Sequence, residues 1–420
     1  MEDRCYQISV YINNRIVFRE NNKQRIIIWF MNAELDPKTV HIVNDTESLK
    51  NCIETLKSTA EIAVDTESDS LFVYYEKVCL IQISADGQSY VIDPLETGDL
   101  SALDEIFASK EILKIFHAAE YDIMCLKRDF GFSFENLFDT MLAARMLGKT
   151  EVGLGPLIEN EFGIHLDKKY QKANWGIRPL SREMLRYAVS DTRFLSALKE
   201  RLGSQLKERG MEDLAAEDFK RLCQIPAGAS EPPASVWWKI TGGTELTLPE
   251  SAVLQGLCEF REKEAQILDL PSFKVLSNAA LVSIALEDPQ TESALRRIKG
   301  VNDAVVRRYG KSILQINKSW RTRKHIPMPT AQQRPANGIL SRRERLRIWR
   351  KEKGCEKDVP SDVILPRDLM ENIAESGPQN ADELRELMKD CPVRFSLFGD
   401  EILNISRSVP CEDENQSRER

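Results

Sequence analysis

At 420 residues the chain is long enough for two or three domains, each able to bury a core of its own. Apolar residues make up 42% and charged residues 30%; no apolar run reaches the ~20 residues of a membrane-spanning helix, and the nine cysteines are never spaced Cys-x-x-Cys, which argues against a membrane span, a disulfide framework and a zinc ribbon and fits a reducing, cytoplasmic setting. The net charge of -8 excludes a uniformly basic nucleic-acid binder and leaves room only for a localised basic strip.

Residues 1–37 read as an N-terminal extension. The run Ile26-Ile27-Ile28-Trp29-Phe30 shows neither helical nor strand period and is too short for the apolar core of a signal peptide, so the ordered chain is expected to begin near Met31. From 38 to 222 short β runs alternate with helical stretches, the pattern of an α/β domain with a mixed sheet flanked by helices. Val40–Val43, Glu61–Asp65, Val78–Ser84, Ser89–Ile92 and Leu113–Phe116 read as strands, with Asp86-Gly87 as a hairpin turn. Ala118–Arg128 has helical spacing, Asp139 reads as the N-cap of the next helix, and a further helix runs from Ser181 to about Leu202.

The Pro/Gly/Ala/Ser-rich stretch from Pro226 to Ser235, inside a linker at 223–245, marks a boundary. An internal repeat follows. At a constant shift of 89 residues Leu257, Phe260 and Arg261 align with Leu346, Trp349 and Arg350, and Asp269, Pro271 and Ser272 with Asp358, Pro360 and Ser361. The register continues to Tyr309-Gly310 and Ile313-Leu314, which meet Phe398-Gly399 and Ile402-Leu403. Two copies of one small all-α module are therefore expected at 246–318 and 340–407, joined by a linker at 319–339 and followed by a polar tail at 408–420. Residues 318–353 hold 12 Lys or Arg against 2 Glu, a local charge of +10 that leaves -18 for the rest. Such a run is commonly a solvated face, but beside a nuclease site it would track phosphates.

The chemistry concentrates at three points. In Val64-Asp65-Thr66-Glu67, at a strand end, alternation puts Asp65 and Glu67 on one side, where two carboxylates repel unless a cation neutralises them. Hard oxygen ligands favour Mg2+ or Mn2+. In Phe116-His117-Ala118-Ala119-Glu120-Tyr121-Asp122 a strand ends and a helix begins, with Asp122 in its first turn, where an acid also suits the helix dipole. In Tyr187-Ala188-Val189-Ser190-Asp191 the phenol and the carboxylate share one helix face, one turn apart. Each alone has an ordinary structural reading.

In this order and these contexts the three elements resemble the four-acid (DEDD) superfamily of 3'-to-5' exonucleases, over roughly residues 38–222. The acids map onto Asp65, Glu67, Asp122 and Asp191, and Tyr187 marks the tyrosine subclass; the other subclass would need His there. Phe138-Asp139-Thr140, Ala143-Ala144, Leu147-Gly148 and the loop Leu166-Asp167-Lys168-Lys169 through Gln171, Trp175 and Arg178-Pro179-Leu180 resemble the ribonuclease D family in particular, and the paired modules resemble HRDC domains. Gly148-Lys149-Thr150 imitates the end of a helicase P-loop, but Ala143 stands where its first glycine belongs.

The resemblance implies a ribonuclease H-like α/β exonuclease domain followed by two all-α HRDC bundles. It implies RNA as substrate, tRNA precursors with 3' extensions in particular, a monomer, and two divalent ions per site. Asp65 would touch both ions, Glu67 and Asp191 the first and Asp122 the second, with Tyr187 orienting the attacking water. Thr66, His117, Lys168, Lys169, Trp175 and Arg178 are the candidate substrate contacts, with Trp175 equally able to pack beneath its loop. A DNA exonuclease with the same acids and a non-catalytic RNA-binding protein are the alternatives.

Overall fold

The computed structural model describes residues 7–8, 15–20, 24–29, 38–228, 233–323 and 336–407. Part of the expected linkers, the tail at 408–420 and the expected start near Met31 fall outside these. Near the N-terminus β1 (Gln7–Ile8), β2 (Arg15–Glu20) and β3 (Gln24–Trp29) form an antiparallel sheet in which Arg15 pairs with Trp29 and Glu20 with Gln24. The extension thus contains strands that its periodicity does not show.

A six-stranded mixed sheet carries the α/β domain: β4 (Val40–Val43), β5 (Glu61–Ser68), β6 (Val78–Ala85), β7 (Gln88–Ile92), β8 (Leu113–Phe116) and β9 (Leu137–Asp139), in the order β4-β7-β6-β5-β8-β9. β6 and β7 form the expected hairpin, with Asp86 and Gly87 at φ 48° and 77°, both left-handed as a type I′ turn requires. β8 runs parallel to β5 and β9, pairing Ala63 with Ile115 and Phe116 with Asp139. β9 has only three residues, too few to leave a period in the sequence. The long helix expected from Ser181 breaks at Phe194 into Arg182–Arg193 and Leu195–Glu208.

The chain divides into two compact units. The first comprises 1–67, 78–228 and 335–420, so it joins the α/β domain to the second helical module. One continuous apolar core runs from Ile62, Phe116 and Phe219 into Leu346, Ile373 and Phe398. Across that core the fully buried Arg394 meets Glu217 at 2.6 Å and Asp218 at 2.8 Å, and it also donates to the carbonyl of Val363 at 2.8 Å. Gly148, at φ 67°, lies so close to the carbonyl oxygen of Asp358 that a Cβ there would stand 2.1 Å from it. Glycine is the residue this contact admits.

The second unit comprises 68–77 and 229–334, with a core of Trp237, Leu254, Leu257, Leu281, Ile284 and Ile313. Trp237 lies in a 3-10 turn, Pro233–Thr241, inside the stretch read as linker. Within this unit the Tyr74 hydroxyl donates to Glu262 (3.1 Å), and Lys274 stands 4.4 Å from the Phe72 ring centroid. The repeat keeps its register in three dimensions. Helices beginning at Leu248, Ser272, Asn278, Glu292 and Asp303 recur at Asn337, Ser361, Arg367, Ala381 and Pro392, each displaced by 89 residues. Arg261 and Arg350 make the equivalent bond, to the carbonyls of Leu276 and Leu365.

Candidate active site

β5 carries the first two acids. Ile62, Ala63 and Val64 are buried; from Asp65 onward the strand is only half-buried, so it emerges from the core where its sequence turns acidic. The helix Arg182–Arg193 supplies the third acid. Ser181 caps it by accepting from the amide of Met184, and Met184 and Ala188 pack against Leu80 and Val91 of β6 and β7. A hydroxyl pair, Ser84 with Thr192 at 2.6 Å, fixes its far end. Tyr187 and Asp191 therefore sit on a helix held at both ends.

The carboxylate oxygens of Asp65, Glu67 and Asp191 lie within 4.8 Å of one another. Asp122, in the first turn of the helix Glu120–Phe130, is not part of this tight trio; its carboxylate takes the hydroxyl hydrogen of Thr66, the residue between the two β5 acids. Burial pushes the carboxyl of Asp65 up to about 7 and that of Asp191 to about 8, and Glu67 is pushed to about 10 by burial and then by the charges of Asp65, Asp191 and Asp122. Asp122 is likewise raised well above the usual range by burial and by Asp65. Carboxylates this close cannot all be ionised without a counter-charge. An all-oxygen donor set of this kind suits a hard divalent cation.

Tyr187 lies between two aromatic rings, with centroids 6.2 Å from Tyr170 and 6.0 Å from Trp175. Burial, then the charges of Asp191 and Glu67, push its phenol above the ordinary value of 10, while its hydroxyl favours the charged form of Asp191. The phenol therefore stays protonated and acts as a donor.

The remaining candidates divide by environment. Lys168 and Lys169 are exposed, with the Lys169 ammonium 5.1 Å from the Tyr170 ring. Trp175 is 1% exposed and packs beneath its loop. Arg178 is committed to the protein, pairing with both oxygens of Asp93 (2.5 and 2.6 Å) and donating to the carbonyls of Trp175, Ile177 and Cys79. His117 is half-buried at the end of β8 and bonded through Nδ1 to Thr140 at 2.9 Å. Asp139 is spent as a cap: it accepts from the amides of Met141 and Leu142 and, across the turn, from Ala118 and Ala119. Lys149 pairs with Glu161 at 2.7 Å, leaving the P-loop look-alike no phosphate cradle. Sequence reasoning missed Tyr170, Asp93 and Thr140, whose roles depend on neighbours 17 to 85 residues away along the chain.

The family described as 3'-5' exonuclease matches residues 40–207, and the HRDC domain family matches 250–316 and again 340–405. The ribonuclease D of Gluconacetobacter diazotrophicus is 31% identical over 62% of this chain and 66% of its own length, and that of Acidiphilium cryptum 26% identical over 87% and 92%. The chain belongs to the ribonuclease D family. The crystal structure of Escherichia coli RNase D has the same fold, with a TM-score of 0.65, 23% identity and coverage of 89% of this chain and 100% of that one. As a ribonuclease D-type enzyme the chain is a 3'-to-5' exonuclease that uses divalent metal, and the clustered carboxylates of Asp65, Glu67 and Asp191 are a donor set that fits such an ion. Among the described residues no helix is long and apolar enough to cross a membrane.

Proposed function

We propose that this exonuclease acts on RNA, hydrolysing the 3' ends of tRNA precursors to nucleoside 5'-monophosphates, as a cytoplasmic monomer. The observation that carries the reading is the convergence of Asp65, Glu67 and Asp191 within 4.8 Å, with Tyr187 one helical turn from Asp191. The ribonuclease D relatives and the paired HRDC modules support RNA as the substrate.

Asp65, Glu67 and Asp191 would hold one divalent ion, and Asp65 with Asp122 a second. Bound there, Mg2+ or Mn2+ supplies Lewis acidity to the scissile phosphate and lowers the pKa of the attacking water. The chain's own groups do the rest. Tyr187, protonated and boxed by Tyr170 and Trp175, gives its one hydrogen to Asp191 and so holds its oxygen in a fixed position, where it accepts from the attacking water and orients it for in-line attack. The Thr66 hydroxyl holds Asp122 in place. Exposed Lys168 and Lys169 reach the phosphates upstream of the cleaved bond, whereas Trp175 and Arg178 act by shaping the loop.

End-labelled RNA and DNA oligonucleotides incubated with Mn2+, Mg2+ or EDTA test this. Mononucleotides released one at a time from RNA, only with metal, are expected. Equal digestion of DNA would favour a DNA exonuclease, and no release would favour a binding protein. A tRNA precursor with a 3' extension should be shortened faster than an unstructured RNA of the same length.

A further inference from the structure

His117 stands in a row of three neighbouring positions. β5 and β8 pair Ala63 with Ile115, and carried two residues further this register sets His117 beside Asp65. β8 and β9 pair Phe116 with Asp139, which sets His117 beside Thr140 on its other flank. Ala63 and Ile115 share one buried cluster with Leu195, so alternation puts Asp65 and His117 on that same face, the face of the carboxylate trio.

The contacts of Thr140 fix the ring's tautomer. Its hydroxyl has one hydrogen and two partners, the Phe116 carbonyl at 3.1 Å and Nδ1 of His117 at 2.9 Å. A carbonyl only accepts, so both contacts are satisfied together when Thr140 donates to Phe116 and Nδ1–H donates to Thr140. Nε2 is then a bare acceptor on the opposite edge of the ring, turned away from β9, and among the described residues it has no partner. Ala118, at φ 59°, turns the chain directly after His117, a costly conformation held by the bonds of Ala118 and Ala119 to Asp139. The ring is thus fixed on both its strand and its turn.

We propose that Nε2 of His117 accepts a hydrogen bond from the 2'-hydroxyl of the 3'-terminal nucleotide and so makes the enzyme select a ribonucleotide end. The inference rests on the RNA reading above and adds to it the residue that enforces the sugar preference. A deoxynucleotide end leaves the acceptor unpaired, which costs about tenfold in kcat/KM.

Two RNA oligonucleotides, identical except for a terminal ribo- or 2'-deoxyribonucleotide, decide the matter when only the first cleavage is timed. The intact enzyme is expected to prefer the ribo end by about tenfold. His117→Ala should lower the ribo rate more than the deoxy rate, bringing the ratio close to one; His117→Gln, whose amide oxygen can accept, should keep part of it. Thr140→Val, which removes the tautomer lock and leaves His117 in place, should also reduce the ratio. A preference unchanged in His117→Ala, with its Tm within a few degrees of the parent, overturns the inference while leaving the RNA reading intact. If the parent cleaves neither oligonucleotide, it is the RNA reading that fails.

Discussion

Asp65, Glu67 and Asp191 repel one another when no cation is bound, and this gives the enzyme a pH dependence of its own. Their folded-state carboxyls titrate at about 7, 10 and 8, above the ordinary carboxylate range. The folded chain therefore holds protons that the unfolded chain releases near pH 4, and metal-free stability must fall as pH rises from about 4 toward 8. Thermal melts in EDTA should show Tm decreasing from pH 5 to pH 8, with Mn2+ restoring it most at pH 8. A flat profile would mean that the trio is not strained. Asp191→Asn should raise the metal-free Tm at pH 8 yet abolish turnover, and Asp65→Ala should abolish turnover while RNA binding persists. For Tyr187→Phe the rate should drop by about 10²-fold with metal affinity little changed, because the lost hydroxyl orients but does not ligate. Calorimetric Mn2+ titration and single-turnover rates separate the two effects.

The loop between Ile164 and Ser181 owes its shape to one ion pair. Arg178 and Asp93 are mostly buried, and the arginine also gathers three carbonyls. Removing the guanidinium leaves a buried carboxylate unpaired, at a cost of about 3 kcal/mol. Arg178→Ala is accordingly expected to lower Tm by several degrees and to depress kcat, since Trp175 and Tyr170 would no longer back Tyr187. Raised KM at unchanged Tm would instead mark Arg178 as a direct phosphate contact. At this scale the sequence showed much: the hairpin at Asp86-Gly87, the cap at Asp139, the start of a helix at Ser181 and the five principal strands all follow from local chemistry. Trp175 and Arg178 did not separate from Lys168 and Lys169, because burial depends on what covers a loop and not on its own residues.

The second HRDC module shares its core with the α/β domain, and the buried Arg394 bridge to Glu217 and Asp218 crosses the seam. Arg394→Met alone should cost about 3–5 kcal/mol by stranding two carboxylates; adding Glu217→Gln and Asp218→Asn should restore much of it. Urea melts of the single and triple variants measure this, and an unaffected single variant would show that the seam is loose. Cutting the chain at Ala234 would weaken RNA binding and flatten its salt dependence. It would also bare the apolar face that meets Leu346 and Phe398, so the truncated domain is expected to melt well below the intact chain.

The order of the acids, their strand and helix contexts, and the 89-residue repeat determined the exonuclease domain and the paired modules, since each is written in local spacing. Tertiary structure alone decided that the Asp122 carboxylate meets the Thr66 hydroxyl, that His117 bonds Thr140 through Nδ1, and that the second module is built into the catalytic unit. These depend on which surfaces meet after the chain has closed, and residue order does not encode a neighbour 100 positions away.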